Sequence, residues 1–183
     1  MATMGQVIPD GTFQAFHEQE IRPIKLESYR GRWLVLVFYP GDFTFICPTE
    51  LEELGALYAD FQKVGAEVIG ISTDSVYVHK AWHDTSPAIK KLAFPLLADP
   101  GGFLSQKLGV YLYREGVALR GSFIFDPDGK LCAYEVHSNN IGRNMQELLR
   151  KLQAAAFVHK NGGVEVCPAG WKPGERTLRP SLD

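Results

Sequence analysis

WLVLVFYPGDFTFICPTELEELGALYADF, residues 33–61, carries both the fold signal and the chemistry. Trp33 to Tyr39 is an unbroken run of seven apolar or aromatic residues, which suits a strand covered on both faces of a sheet. Leu51, Leu54, Leu57, Tyr58 and Phe61 then recur at helical spacing until Gly65 stops the pattern, so a helix follows the strand. The loop between them ends on Cys47-Pro48-Thr49-Glu50. Open α/β sheets place their chemistry in such a connection, because rigid elements hold the loop and the helix start offers free N–H groups. Pro48 suits the first helical position and Glu50 the first turn, so Cys47 is expected to cap the helix. A thiol held there is favoured as the thiolate, and therefore as a nucleophile. Thr44 offers a hydroxyl to that sulfur or to a bound oxygen, and Pro40 offers a rigid apolar wall.

Outward from this stretch the alternation continues. Glu67 to Ser72 reads as a second buried strand and Thr73 to Trp82 as a helix, with Pro87 beyond it as a breaker. PLLAD at 95–99 is a third short strand, followed by a brief helix around Phe103 to Leu108. Val117 to Phe125 and Leu131 to His137 flank Asp126-Pro127-Asp128-Gly129, a turn sequence that predicts a hairpin. Period-2 alternation puts Arg120, Ser122 and Ile124 on one face of that strand and Phe123 and Phe125 on the other. Met145, Leu148, Leu149, Leu152 and Ala156 mark an amphipathic helix, supported by Glu147 and Lys151 four apart. From Asn161 to Asp183 periodicity is lost among Gly and Pro, which reads as an extended arm. The expectation is a three-layer α/β/α domain over residues 1–160, with a mixed sheet, and a C-terminal arm over 161–183.

Composition agrees and narrows the function. A chain of 183 residues with 45% hydrophobic and 22% charged residues fits one globular domain rather than a disordered segment. Nineteen basic against twenty-one acidic residues leave a formal charge of −2, which gives no basic field for a nucleic-acid partner. No apolar run approaches the roughly 18 residues of a membrane span, and the start of the chain reads as no export signal, so a cytoplasmic location is expected. Three cysteines do not make a disulfide framework. Cys132, in LCAYEV, reads as a packed strand thiol. His79 and His83 have the spacing of a metal pair but lack the neighbouring Glu and a third ligand, so they read as surface or core histidines. Gly101-Gly102 reads as a turn, since no Lys-Ser or Lys-Thr follows.

Taken together these segments resemble the peroxiredoxins, and within them the two-cysteine class that includes the alkyl hydroperoxide reductase C subunit. Pro40, Thr44 and Cys47 stand at the P-x-x-x-T-x-x-C spacing, HKAWHDTS (79–86) is similar to an oligomer-interface stretch, VALRGSFIFDPDG places Arg120, and EVCPAGW places Cys167. The resemblance implies a thioredoxin-like fold and a thiol peroxidase acting on hydrogen peroxide and small alkyl hydroperoxides without metal, haem or flavin. It implies catalytic roles for Cys47, Thr44, Pro40 and Arg120, and a resolving role for Cys167. It further implies a homodimer in which Cys47 of one subunit pairs with Cys167 of the other. Dimers would assemble into a ring, with Trp82 near the dimer-to-dimer contact. The residues themselves leave open whether the partner thiol is in the same chain, and whether electrons come from thioredoxin or a flavin-dependent disulfide reductase. A thiol:disulfide oxidoreductase is disfavoured by the missing C-x-x-C, and a cysteine hydrolase by the lack of an identifiable base; a holdase or redox-sensor role is compatible with catalysis. Members that inactivate readily carry a Gly-Gly-Leu-Gly insertion and a C-terminal Tyr-Phe helix. Thr85 to Asp99 contains no Gly and the sequence ends in LRPSLD, which predicts resistance to overoxidation.

Overall fold

The computed structural model describes residues 2–181, so the final Leu182 and Asp183 of the arm lie outside it. In chain order, Thr12–His17 (β1) and Glu20–Lys25 (β2) form a hairpin, and Trp33–Phe38 (β3) leads through the loop to Cys47–Lys63 (α1). Ala66–Ser72 (β4) is followed by Val76–Thr85 (α2), and Leu96–Ala98 (β5) by the short Phe103–Lys107 (α3). Tyr111–Leu112 (β6) and Val117–Ala118 (β7) pair with each other, Arg120–Phe125 (β8) and Leu131–His137 (β9) form the next hairpin, and Met145–Lys160 (α4) follows. The main sheet has the order β2-β1-β5-β4-β3-β8-β9. Its centre, β5-β4-β3, is parallel, and antiparallel pairs extend it on both sides.

The apolar run of β3 is explained by its central place between β4 and β8. Val35 and Val37 pack toward α1 and α4, against Leu51, Leu54, Phe61, Leu148 and Leu152. Leu34, Leu36 and Phe38 point the other way, into Ile69, Ile71, Phe123 and Phe125 with Leu104 of α3. Burying each such side chain contributes about 1.5–3 kcal/mol, so the strand at the sheet's centre is among the most firmly held parts of the chain. The mixed three-layer sheet expected from the sequence is the observed architecture.

Four local expectations are corrected. The β1–β2 hairpin has no counterpart in the sequence reading, because its turn is made by Glu18 (φ 50°) and Gln19 (φ 68°) rather than by the Gly or Asn that such positive φ angles usually demand. α2 starts at Val76, three residues after Thr73, because Asp74 and Ser72 are occupied in a loop network, and it ends at Thr85 rather than at Trp82. The strand expected over 117–125 is broken at Leu119: β7 joins β6, and only Arg120 onward enters the main sheet. Cys132 is exposed rather than packed, because β9 is the outermost strand and a register shift opposite Ile124 and Phe125 falls beside it. The hairpin turn at Asp126–Gly129 is as expected, with Gly129 at φ 77°.

Residues 161–181 are irregular but not loose. Val166 and Leu178 form an isolated bridge, and Trp171, 3% exposed, packs on Phe157 of α4 while its carbonyl accepts a hydrogen bond from Arg150 at 3.0 Å. Among the described residues no helix is long and apolar enough to cross a membrane.

Candidate active site

Parallel β3 delivers the chain to the carboxyl edge of the sheet, and the loop 39–46 returns it to the start of α1. That loop is pinned from the α2 side. The Tyr39 hydroxyl donates to Asp42 Oδ1 at 2.8 Å, His79 Nδ1 lies 2.7 Å from Asp42 Oδ2, and the Asp42 amide donates to Asp74 Oδ2 at 2.8 Å. His79 and His83 are therefore buried histidines, the first engaged in holding this loop. Trp82, also buried, stacks obliquely on Tyr39 and Phe43. Phe43 itself is 57% exposed and sits at φ 56°.

The helix starts one residue earlier than the sequence suggested: Ile46 stands at the cap position, Cys47 is the first helical residue and Pro48 the second. The Cys47 side chain points inward and is 0% exposed. What meets it there is not hydrocarbon alone: Arg120 Nη1, reaching across from β8, is 3.4 Å from the sulfur. Both groups are buried, so little water screens the contact. The period-2 reading of β8 is observed. Arg120 and Ser122 serve the site and Ile124 joins the α1–α4 core, while Phe123 and Phe125 face the opposite layer.

Arg120 does not stand alone. Its Nη1 also donates to Glu50 Oε2 at 2.8 Å, and its Nε donates to the Asn139 carbonyl at 3.0 Å. Glu50 is 2% exposed and is gripped from the other side by Arg143, which donates from its amide (2.7 Å), Nε (3.1 Å) and Nη2 (2.8 Å). Arg143 Nη1 is anchored in turn on the Gly121 carbonyl and Ser122 Oγ. Burial alone would raise the Glu50 carboxyl, but the hydrogen bonds and charge of Arg143, with Arg120 behind, hold it below its ordinary value. The sequence reading assigned Glu50 only to the helix dipole and did not single out Arg143. Glu50 was findable: it lies three residues after Cys47 and beside Leu51 on the inward stripe of α1, where a carboxylate needs a cationic partner.

The remaining expected site residues are placed differently. Thr44 is exposed, and its hydroxyl donates to the Gly41 carbonyl at 2.7 Å rather than to Cys47, leaving an oxygen lone pair for a ligand. Pro40 is half-buried at the loop's start. Cys167 is not brought to Cys47 within the chain: its sulfur lies against the Ala154 carbonyl of α4 at 3.8 Å, and both thiols are free. Desolvation against the helix raises the Cys167 thiol, with Arg150 partly offsetting it. Cys132 and Cys167 line one open groove of about 620 Å³, and burial of the Cys132 sulfur, with Asp126 nearby, pushes its thiol up to about 11.

A thioredoxin-like sheet with a thiol at the start of a helix, held against a guanidinium, defines a thiol-dependent oxidoreductase. Residues 4–134 match the AhpC/TSA family and residues 156–183 the C-terminal domain of 1-Cys peroxiredoxin. The chain belongs to the AhpC/TSA family, the peroxiredoxins, which are oxidoreductases that reduce peroxides with a thiol. It is 49% identical over 169 residues to alkyl hydroperoxide reductase C of Pseudomonas aeruginosa, covering 92% of this chain and 90% of that one. It is 44% identical to a selenocysteine-containing peroxiredoxin of Peptoclostridium acidaminophilum, covering 98% of this chain and 90% of the relative. Among solved structures, the reduced 2-Cys peroxiredoxin of Plasmodium vivax superposes with a TM-score of 0.92 at 32% identity, covering 99% of this chain and 95% of that one. The Enterococcus faecalis AhpC structure gives 0.88 at 43% identity, covering 92% and 100%.

Proposed function

We infer that the protein reduces hydrogen peroxide and small alkyl hydroperoxides by a two-cysteine cycle that starts at Cys47. The observation that carries this is the 3.4 Å contact between Cys47 Sγ and the Arg120 guanidinium, both buried. In the proposed first step the Cys47 thiolate attacks one peroxide oxygen, the O–O bond breaks, and the other oxygen leaves as hydroxide or alkoxide and takes up a proton. Arg120 is positioned to donate to the charge developing on that leaving oxygen, while Thr44 presents a lone pair to the peroxide O–H and Pro40 walls the entrance. Cys47 becomes a sulfenic acid.

In the second step the Cys167 thiol of another subunit condenses with the sulfenic acid, forming the disulfide and releasing water. Cys47 is fully buried, so the first turn of α1 must open before the sulfurs meet, and the arm must leave α4. A dithiol protein or flavin-dependent disulfide reductase then supplies two electrons. We read residues 1–160 as the peroxidase unit, 161–183 as the arm that brings the second thiol, a homodimer able to form a ring as the working assembly, and the reducing cytoplasm as the place of action. The Gly-free stretch 85–99 supports resistance to overoxidation, checked by mass spectrometry for sulfinic Cys47 after millimolar peroxide.

The test is non-reducing electrophoresis after one equivalent of peroxide, on the wild type and on Cys47→Ser. A covalent dimer in the first and neither dimer nor peroxide consumption in the second is expected. Consumption that persists without Cys47 overturns the reading.

A further inference from the structure

Two of the three thiols share a surface away from Cys47. Cys132, near the start of β9, and Cys167, in the arm, line the same open groove. Side chains of successive strand residues normally point to opposite faces, yet Cys132 and Ala133 both line this groove. The cause is the irregularity in the β8–β9 ladder: Ile124 pairs with Ala133 and Phe125 with Leu131, so Cys132 is the residue left without a ladder partner. The bulge turns its side chain into the groove where Cys167 lies. Ala154 and Ala155 of α4 present only methyl groups there, and neither sulfur is strongly held. Cys132 Sγ donates to the Ile124 carbonyl at 3.3 Å, and Cys167 Sγ lies 3.8 Å from the Ala154 carbonyl.

We propose that Cys132 and Cys167 are a second redox pair, to which the disulfide first formed between Cys47 and Cys167 is transferred within the chain that carries the arm. In the transfer Cys132 gives up its proton to solvent and its sulfur attacks the Cys167 sulfur. The bond from Cys167 to Cys47 breaks, and Cys47 leaves as the thiolate. No electrons enter from outside: Cys132 is oxidised and Cys47 is returned to the reduced state. Arg120 Nη1, 3.4 Å from Cys47 Sγ in the closed site, is placed to receive the leaving charge. Desolvation raises the thiols of both Cys132, to about 11, and Cys167. Thiols that hold their protons firmly attack slowly and, as poorer leaving groups, make a disulfide that is harder to reduce. The transfer therefore competes with reduction only when reductant is short, and it then leaves Cys47 free to meet a second peroxide. It rests on the peroxidase reading for the source of the first disulfide, and on the groove alone for the pair itself.

Wild type and Cys132→Ser are oxidised with one equivalent of peroxide and held without reductant. Samples are taken for non-reducing electrophoresis and, after iodoacetamide, for peptide mapping. In the wild type the covalent dimer gives way to monomer over minutes to hours, a Cys132–Cys167 peptide pair appears and Cys47 becomes alkylated. In Cys132→Ser the dimer persists, its loss slowed roughly tenfold or more. A second addition of peroxide is consumed by the wild type and not by the variant. In parallel, Cys47→Ser is treated with diamide, which joins two thiols without peroxide, and yields the same peptide pair in a monomer.

A wild-type dimer as durable as that of Cys132→Ser, a Cys132–Cys132 link between chains in place of the pair, or diamide-treated Cys47→Ser without the pair overturns the proposal. If diamide joins the two thiols but peroxide yields no dimer in the wild type, the peroxidase reading falls and takes the transfer with it, leaving the pair. If peroxide yields the dimer and the pair forms in neither arm, the pair fails alone.

Discussion

The surroundings of Cys47 and of Cys167 are built on opposite plans. Cys47 is enclosed by the sheet, α1 and α4, and faces a guanidinium fixed by a carboxylate that a second guanidinium fixes in turn. Cys167 lies on a groove wall in an irregular segment that is tied within itself by the Val166–Leu178 bridge and the Glu165–Arg179 ion pair, and to α4 by Trp171. Its nearest cation, Arg150, is already engaged by Glu147 at 2.6 Å and by the Trp171 carbonyl. One sulfur faces a buried cation; the other has its thiol raised by desolvation and lies on an irregular segment. The two-thiol cycle proposed above asks for this asymmetry.

The largest test of the contrast is Cys167→Ser. Covalent dimers should vanish entirely, while one equivalent of peroxide is still consumed and Cys47 sulfenic acid becomes trappable by dimedone. A dimer that persists would mean that Cys167 is not the second thiol, and continued turnover without it would favour a one-cysteine cycle. Arg120→Lys keeps the charge but loses the fork that reaches Cys47 and Glu50 together. Its rate with peroxide should drop about 10²- to 10³-fold with little change in melting temperature. Trp171→Ala should lower hydrogen-exchange protection of residues 165–178 by roughly 10²-fold, as expected for losing a buried aromatic anchor, and leave β3 and β4 protected. Equal loss in both regions would show that the arm is not a separate unit.

Two smaller effects concern titration. Cys132 is exposed, but its sulfur is turned to the Ile124 carbonyl at 3.3 Å and its thiol is pushed up to about 11, so alkylation there should stay slow until the pH approaches that value. Appreciable alkylation at pH 7 would remove the distinction from Cys47. Glu50 is held below the ordinary carboxylate value of 4.5, so the folded protein binds that proton less readily than the unfolded chain. Its contribution to stability is complete above that value and fades as the pH falls below it. Acid unfolding followed by circular dichroism should therefore be shallower in Glu50→Gln, by about one kcal/mol at most.

Much of this was legible in residues 33–61, where an apolar run, a loop with two prolines and a helical stripe left one reasonable reading. Arg120 followed from its motif and its phase on β8 gave its direction. The β1–β2 hairpin was not legible, since Glu18 and Gln19 adopt positive φ angles without the residues that announce them, and β2 turns most of its side chains to solvent. Arg143 was hidden for a different reason. It sits in an aperiodic segment, and the carboxylate that gives it meaning is 93 positions earlier in the chain. Pairings of that range depend on the assembled sheet, not on any local pattern. Cys132 misled because strand sequence alone does not say which strand will be outermost.

Phe43 gives the loop a mechanical property. A bulky residue with φ at 56° costs about 1–2 kcal/mol relative to an ordinary backbone conformation, and here the ring is steadied by Trp82. The same loop connects to the first turn of α1, which the proposed cycle requires to open. In that cycle the strain at Phe43 favours the opened form, provided φ relaxes there. Relaxing it with Phe43→Gly should make the enclosed state more comfortable and disulfide formation correspondingly slower.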